Sequence, residues 1–186
     1  MKTAIACFLL SLFLIAKAQS EEAHVHGLAT LTLALENQSL EIEFESPAAN
    51  IVGFEHEAKS AEEKQAVKAA EVILESPATL FSFAGTGCQL KEAEVDISGL
   101  MEEGHNDHGH HHDHHHSSHD DHKDDSHSEI KAHYHFTCNG AEQLESVSTT
   151  LFSQFPGIET INAMWVTDTR QGSKLLKPDS TILSLR

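Results

Sequence analysis

Gly27-Leu28-Ala29-Thr30-Leu31-Thr32-Leu33-Ala34-Leu35, then Glu36-Asn37-Gln38-Ser39, then Leu40-Glu41-Ile42-Glu43-Phe44-Glu45: on this stretch the fold turns. Ala29, Leu31, Leu33 and Leu35 alternate with smaller or polar residues. Leu40, Ile42 and Phe44 alternate with three glutamates. This period of two marks a pair of half-buried strands, and the polar residues between them form the turn of a hairpin. Pairing Leu35 with Leu40 sets Leu33 opposite Ile42 and Leu31 opposite Phe44. All six then share one core face, and a slip of one residue would turn them to water.

Upstream, Met1-Lys2 and the apolar run 4–16 end in Ala16-Lys17-Ala18. A basic start, a short apolar region and an Ala-x-Ala ending predict a secretory signal peptide over 1–18. The run is short for a membrane span, which takes about 20 apolar residues, so no membrane insertion is expected after cleavage. Cleavage leaves 168 of the 186 residues, read as a single domain over 19–186. Loss of Lys2 and Lys17 takes the formal charge from −17 to −19. Such a surface repels nucleic acid and attracts cations.

Downstream, 46–56 reads as an irregular segment with Ile51, Val52 and Phe54 facing inward. Ser60 and Glu63 have capping-box spacing, and Ala66, Val67, Ala70, Ile73 and Leu74 form a helical stripe that Ser76-Pro77 ends. Residues 89–97 and 129–138 predict two antiparallel strands. Matching Ser98 with Ser128 also matches Cys88 with Cys138, an even pair in an exported chain and so a disulfide. A one-residue bulge near Lys91 is needed to align Ala93, Val95 and Ile97 with Tyr134, Ala132 and Ile130. Residues 144–155, 158–167, 173–176 and 181–185 supply further strands, with 158–166 a candidate central one. The expected class is α+β: a mostly antiparallel sheet with one main helix and a long disordered insertion at 99–128 between two strands.

That insertion holds eleven of the sixteen histidines: His105, His108, His110, His111, His112, His114, His115, His116, His119, His122 and His127, with six aspartates among them. Neutral imidazoles bind zinc, copper or nickel, and carboxylates complete the shell. At about three to four imidazoles per ion, eleven could hold about three zinc ions, with modest affinity because a loose chain must be ordered around each. Protons compete for the same nitrogens, so binding should fade below roughly pH 6.5. The competing reading is a solvated low-complexity linker.

Five histidines lie elsewhere. The hairpin register sets Gly27 opposite Ala48, so His24 and His26 run beside the segment that reaches His56. A more ordered site of these three, with Glu55 or Glu57, competes with three unrelated surface histidines. His133 and His135 share one strand face, with Glu94 and Glu92 across from them, as a second candidate or simply a polar face. No catalytic motif is present, so an enzyme is not expected.

An exported start, His24-Val-His26-Gly27-Leu-Ala, Ser46-Pro-Ala-Ala-Asn-Ile-Val-Gly-Phe-Glu-His56, a helix, Cys88, the His/Asp tract, His133-Tyr134 through Cys138, and Leu151-Phe-Ser-Gln-Phe-Pro156 follow in order. Over essentially the whole mature chain this resembles the ZrgA-type periplasmic zinc-uptake proteins of Gram-negative bacteria, most specifically in the segment ending at His56. The resemblance implies a periplasmic zinc-binding protein, made under zinc limitation, that collects or buffers zinc and assists a zinc ABC transporter or its periplasmic binding protein. It places His24, His26 and His56 in matching motifs, and His133 and His135 at the variable edge of the tract. A nickel or copper buffer without an import role, or a zinc-dependent enzyme, are the alternatives.

Overall fold

The computed structural model describes residues 25–101 and 128–186. The expected signal peptide, His24, the eleven tract histidines and the expected disorder of the insertion lie outside the described residues. In order come strands β1 (Leu28–Glu36) and β2 (Ser39–Pro47), helices α1 (Ala48–Val52), α2 (Ala61–Leu74) and α3 (Pro77–Leu80), and strands β3 (Phe81–Ala84), β4 (Gly87–Asp96) and β5 (Glu129–Asn139). A 3-10 turn at Ala141–Gln143, β6 (Ser146–Thr149), α4 (Leu151–Gln154), β7 (Thr160–Thr167), β8 (Gln171–Leu176) and β9 (Ile182–Ser184) complete the chain.

The hairpin has the expected register: Leu35 pairs with Leu40, Leu33 with Ile42 and Leu31 with Phe44. Asn37 takes the left-handed conformation (φ 54°) that a two-residue hairpin loop favours. These strands sit in the middle of a six-stranded sheet of order β4-β5-β2-β1-β7-β8. The β4–β5 ladder also has the expected register. Cys88 faces Cys138 in a disulfide, the register shifts between Leu90 and Glu92, and Ala93 and Val95 then face Tyr134 and Ala132. The bulge at Lys91 is thus the price of keeping both the apolar face and the disulfide in one ladder.

Helix α2 carries the expected capping box: Ser60 Oγ accepts from Glu63 N–H, and the Glu63 carboxylate accepts from Ser60 N–H. The N–H groups of Ser60 and Lys59 hold the Glu63 carboxyl below its ordinary range. Val67, Ala70 and Leu74 face the core. There Tyr134 Oη donates to Leu74 C=O at 2.9 Å, so the phenol is buried with its one donor satisfied. A second sheet, β3-β6-β9, covers the same face through edge-to-face contacts of Phe81 with Tyr134 and of Phe83 with Phe136.

Two readings need correction. Residues 46–56 are not irregular throughout: β2 continues to Pro47 and α1 follows. Residues 144–155 are not one strand but β6 and then α4, because Phe152 and Leu151 reach the core from one helical turn. β7 is an inner strand as expected, but it runs parallel to β1 and antiparallel to β8. Its outer residues Met164 and Val166 remain exposed.

The disulfide closes a loop of separation 50. Replacing Cys88→Ser and Cys138→Ser together is expected to lower stability by up to about 4 kcal/mol by the loop-entropy relation. Urea unfolding of the oxidised protein against this variant measures it.

Candidate metal centre

The first candidate site is built on a buried asparagine. Asn50, in the middle of α1, is 5% exposed. Its Oδ1 accepts from Gly27 N–H at 2.7 Å, and its Nδ2 donates to Leu28 C=O at 3.0 Å and to Ser46 Oγ at 3.1 Å. One amide thereby fixes the entry to β1 against the exit of β2. Gly27 has φ 83°, and its carbonyl accepts from both Glu159 and Thr160 N–H, which docks the start of β7 at the same point. Gly157 passes so close to α1 that a Cβ there would lie 2.5 Å from Asn50 C=O, so only glycine fits without a shift.

This turn holds His26 beside the loop that follows α1. His26 Nε2 lies 3.1 Å from Glu55 Oε1; the imidazole is well exposed and the carboxylate largely sheltered. Of the two carboxylates expected near this histidine, Glu55 is the one that meets it. His56, the next residue, turns elsewhere: its ring stands edge-on to Phe54, and its Nε2 lies 3.4 Å from Glu63 Oε1 on α2. His26 and His56 belong to one surface but engage different carboxylates. Among the described residues, no three His, Cys, Asp or Glu side chains already converge on one coordination point.

The loop also anchors both roots of the insertion. Ser128 N–H donates to Glu55 C=O at 3.3 Å, and Ala48 N–H donates to Ser128 C=O at 2.9 Å. Ala58 N–H donates to Leu100 C=O, and Ser128 Oγ donates to Gly99 C=O. Leu100 is fully buried. The described ends of the insertion thus meet this loop at Ala58 and at Glu55, the residue whose carboxylate meets His26.

The second candidate lies on the outer face of the large sheet. His133 and His135 face Glu94 and Glu92 on β4, as expected, and also Glu43 and Glu41 on β2. Glu41 reaches both: His133 Nε2 is 3.0 Å from its Oε2 and His135 Nε2 is 3.7 Å from its Oε1, while Ser39 Oγ lies closer to His135, at 3.0 Å. Sequence reasoning missed Glu41, because the pairing of β2 with β5 was not foreseen. The matching alternation of Leu40-Ile42-Phe44 with Phe136-Tyr134-Ala132 was the available signal. Lys131 Nζ is held by Glu45 at 2.6 Å and Glu129 at 3.1 Å, which raises its pKa and keeps its charge engaged. No helix among the described residues is long and apolar enough to cross a membrane.

The family model described as ZrgA family zinc uptake protein matches residues 23–185 of this chain, which therefore belongs to that family. A search among curated proteins finds no match.

Asn50→Ala is expected to cost about 2–4 kcal/mol, since it strands the Gly27 N–H and Leu28 C=O that the amide now satisfies. Urea unfolding measures the loss. Faster hydrogen exchange at the Gly27 amide would locate it at the His26 turn.

Proposed function

We propose that this member of the zinc-uptake family works in the periplasm as a two-stage zinc binder. The tract from His105 to His127 gathers ions, and the surface of His24, His26 and His56 at its root takes one for delivery to a zinc ABC transporter or its periplasmic binding protein. The observation that carries this reading is the Ser128 N–H to Glu55 C=O hydrogen bond. It brings the tract's return point to the residue whose carboxylate holds His26.

The chemistry supports a division of labour. Imidazoles at adjacent and alternate positions bind zinc without a prebuilt cage, so their sites exchange ions readily and hold them modestly. His26 and His56, by contrast, hang from backbone that Asn50 and the α2 cap fix in place. Glu55 and Glu63 orient the two rings and supply carboxylate ligands once an ion arrives. Both stages need neutral imidazole, so protons and zinc compete. In this reading the protein acts by binding and not by turnover; hydrolysis abolished by chelation would overturn it. Copper would outcompete zinc on raw affinity, so selectivity for zinc comes from metal availability.

Titration with zinc is expected to show a capacity of about three ions that disappears when 104–127 is deleted. The ordered binding that remains falls when His24, His26 and His56 are replaced by glutamine. Unchanged residual binding in that triple variant would exclude the root surface as the delivery site. Binding by the tract should weaken as pH drops below roughly 6.5, since protons compete for free imidazole. A titration series from pH 7.5 to 5.5 reads this directly.

A further inference from the structure

The outer sheet face carries a cluster that the two-stage reading does not use. We infer that Glu41, His133 and His135 form a separate, three-ligand site for zinc or a similar imidazole-seeking divalent ion on the rigid centre of the sheet. His133 and His135 are alternate residues of β5, so both side chains leave the same face. Glu41 comes from the neighbouring β2, directly opposite His135. Its two carboxylate oxygens reach one imidazole each, at 3.0 and 3.7 Å. In a tetrahedral zinc shell with bonds of about 2.1 Å, neighbouring ligand atoms stand about 3.4 Å apart. Each imidazole nitrogen thus already stands near that spacing from one Glu41 oxygen, although the three side chains do not yet converge on one point. Gathering the three around an ion takes side-chain rotation on backbones that the ladders on both sides of β5 hold fixed.

A second observation points the same way. Glu41 Oε2 is withdrawn from solvent and receives no hydrogen bond, although His133 Nε2 lies 3.0 Å away. A cation seated between it and the rings gives that oxygen a partner. The supporting contacts are in place. Ser39 Oγ lies 3.3 Å from Glu41 Oε1, within reach to donate to it, and 3.0 Å from His135 Nε2. Glu43, Glu92 and Glu94 surround the imidazoles in register and offer a fourth ligand, or leave that position to water. Lys131 is engaged by Glu45 and Glu129 and does not oppose the ion with a free charge.

Access is also built in. An open groove of about 650 Å³ runs along this face, lined by Glu43, Glu45, Glu94, Asp96, Lys131 and His133. Asp96 and Lys131 end the ladder on the side where Gly99 and Ser128 anchor the insertion. Carboxylates thus lead from the tract's roots to His133. Three protein ligands and an open position suit an ion that must leave again.

The inference shares with the proposed function only the premise that zinc is the ion encountered, and thermal unfolding separates the two. The tract offers the same contiguous ligands in the folded and unfolded chain, so zinc on it scarcely shifts Tm. The Glu41–His133–His135 site exists only when β2 and β5 are paired. With zinc chloride as the probe and the full chain throughout, zinc at about 100-fold over its dissociation constant should raise Tm by about 5 °C or more. Each of Glu41→Gln, His133→Gln and His135→Gln should lose at least half of that rise, whatever its Tm without zinc. His26→Gln/His56→Gln should keep the share due to the sheet. A zinc-induced rise equal to wild type in the three sheet variants overturns the site, as does complete loss of the rise in His26→Gln/His56→Gln. As an independent reading, zinc should shift the ring Cε1–H signals of His133 and His135, assigned by their loss in the single variants. Unmoved signals mean surface ion pairs and no metal site.

Discussion

The side chain of Asn50 is the junction through which the turn of His26 and the loop of His56 are joined to the sheet. Three hydrogen bonds from one buried amide connect the entry of β1, the exit of β2 and helix α1. The carbonyl of Gly27, fixed by the same contact, receives β7. Such an amide is expensive to bury unless nearly every donor and acceptor is used, and here the surroundings use them. The backbone that presents His26 and the loop that presents Glu55 and His56 therefore have little freedom relative to each other. The motif residues around Asn50 have a structural reason to occur together, separate from metal chemistry.

The two faces of the large sheet divide the labour. One is closed by α2 and the second sheet around Tyr134, Phe81 and Phe136. The other is acidic and carries His133 and His135, a few residues past the root of the insertion at Ser128. Because the carboxylates outnumber the cations on that face, its potential favours the arrival of a divalent ion before any specific contact forms. The disulfide at the opposite end of the β4–β5 ladder keeps these strands paired while the insertion hangs from their other end.

The ladders were legible in the residues because two constraints agreed in each. In the hairpin, strict alternation and a short turn left one register. In β4–β5, the Cys88–Cys138 pair and the apolar parity conflicted by one residue, and the conflict located the bulge at Lys91. What could not be read were partners chosen at long range. β3, β6 and β9 have four, four and three residues, too few to show a period, and their pairing follows from packing on Tyr134 and Phe136. Asn50 looked like one polar residue in a turn-like stretch. Glu55 and Glu57 both flank His56 in the sequence, and only the fold singles out Glu55 as the partner of His26. Glu41 was not, because nothing local indicates that β2 lies beside β5.

The parallel pairing of β1 with β7 has a kinetic consequence. β1 is among the first elements of the domain to be made, yet the strand that covers its second edge spans Thr160–Thr167. At translation rates of about 5–20 residues per second, that edge waits on the order of ten seconds for its partner. An unpaired edge of alternating leucines is a template for aggregation. Until Thr160–Thr167 has been made, that edge of the nascent chain has no partner strand. The fold is also one that closes late, since its central contacts join residues far apart in the chain and such contacts form slowly.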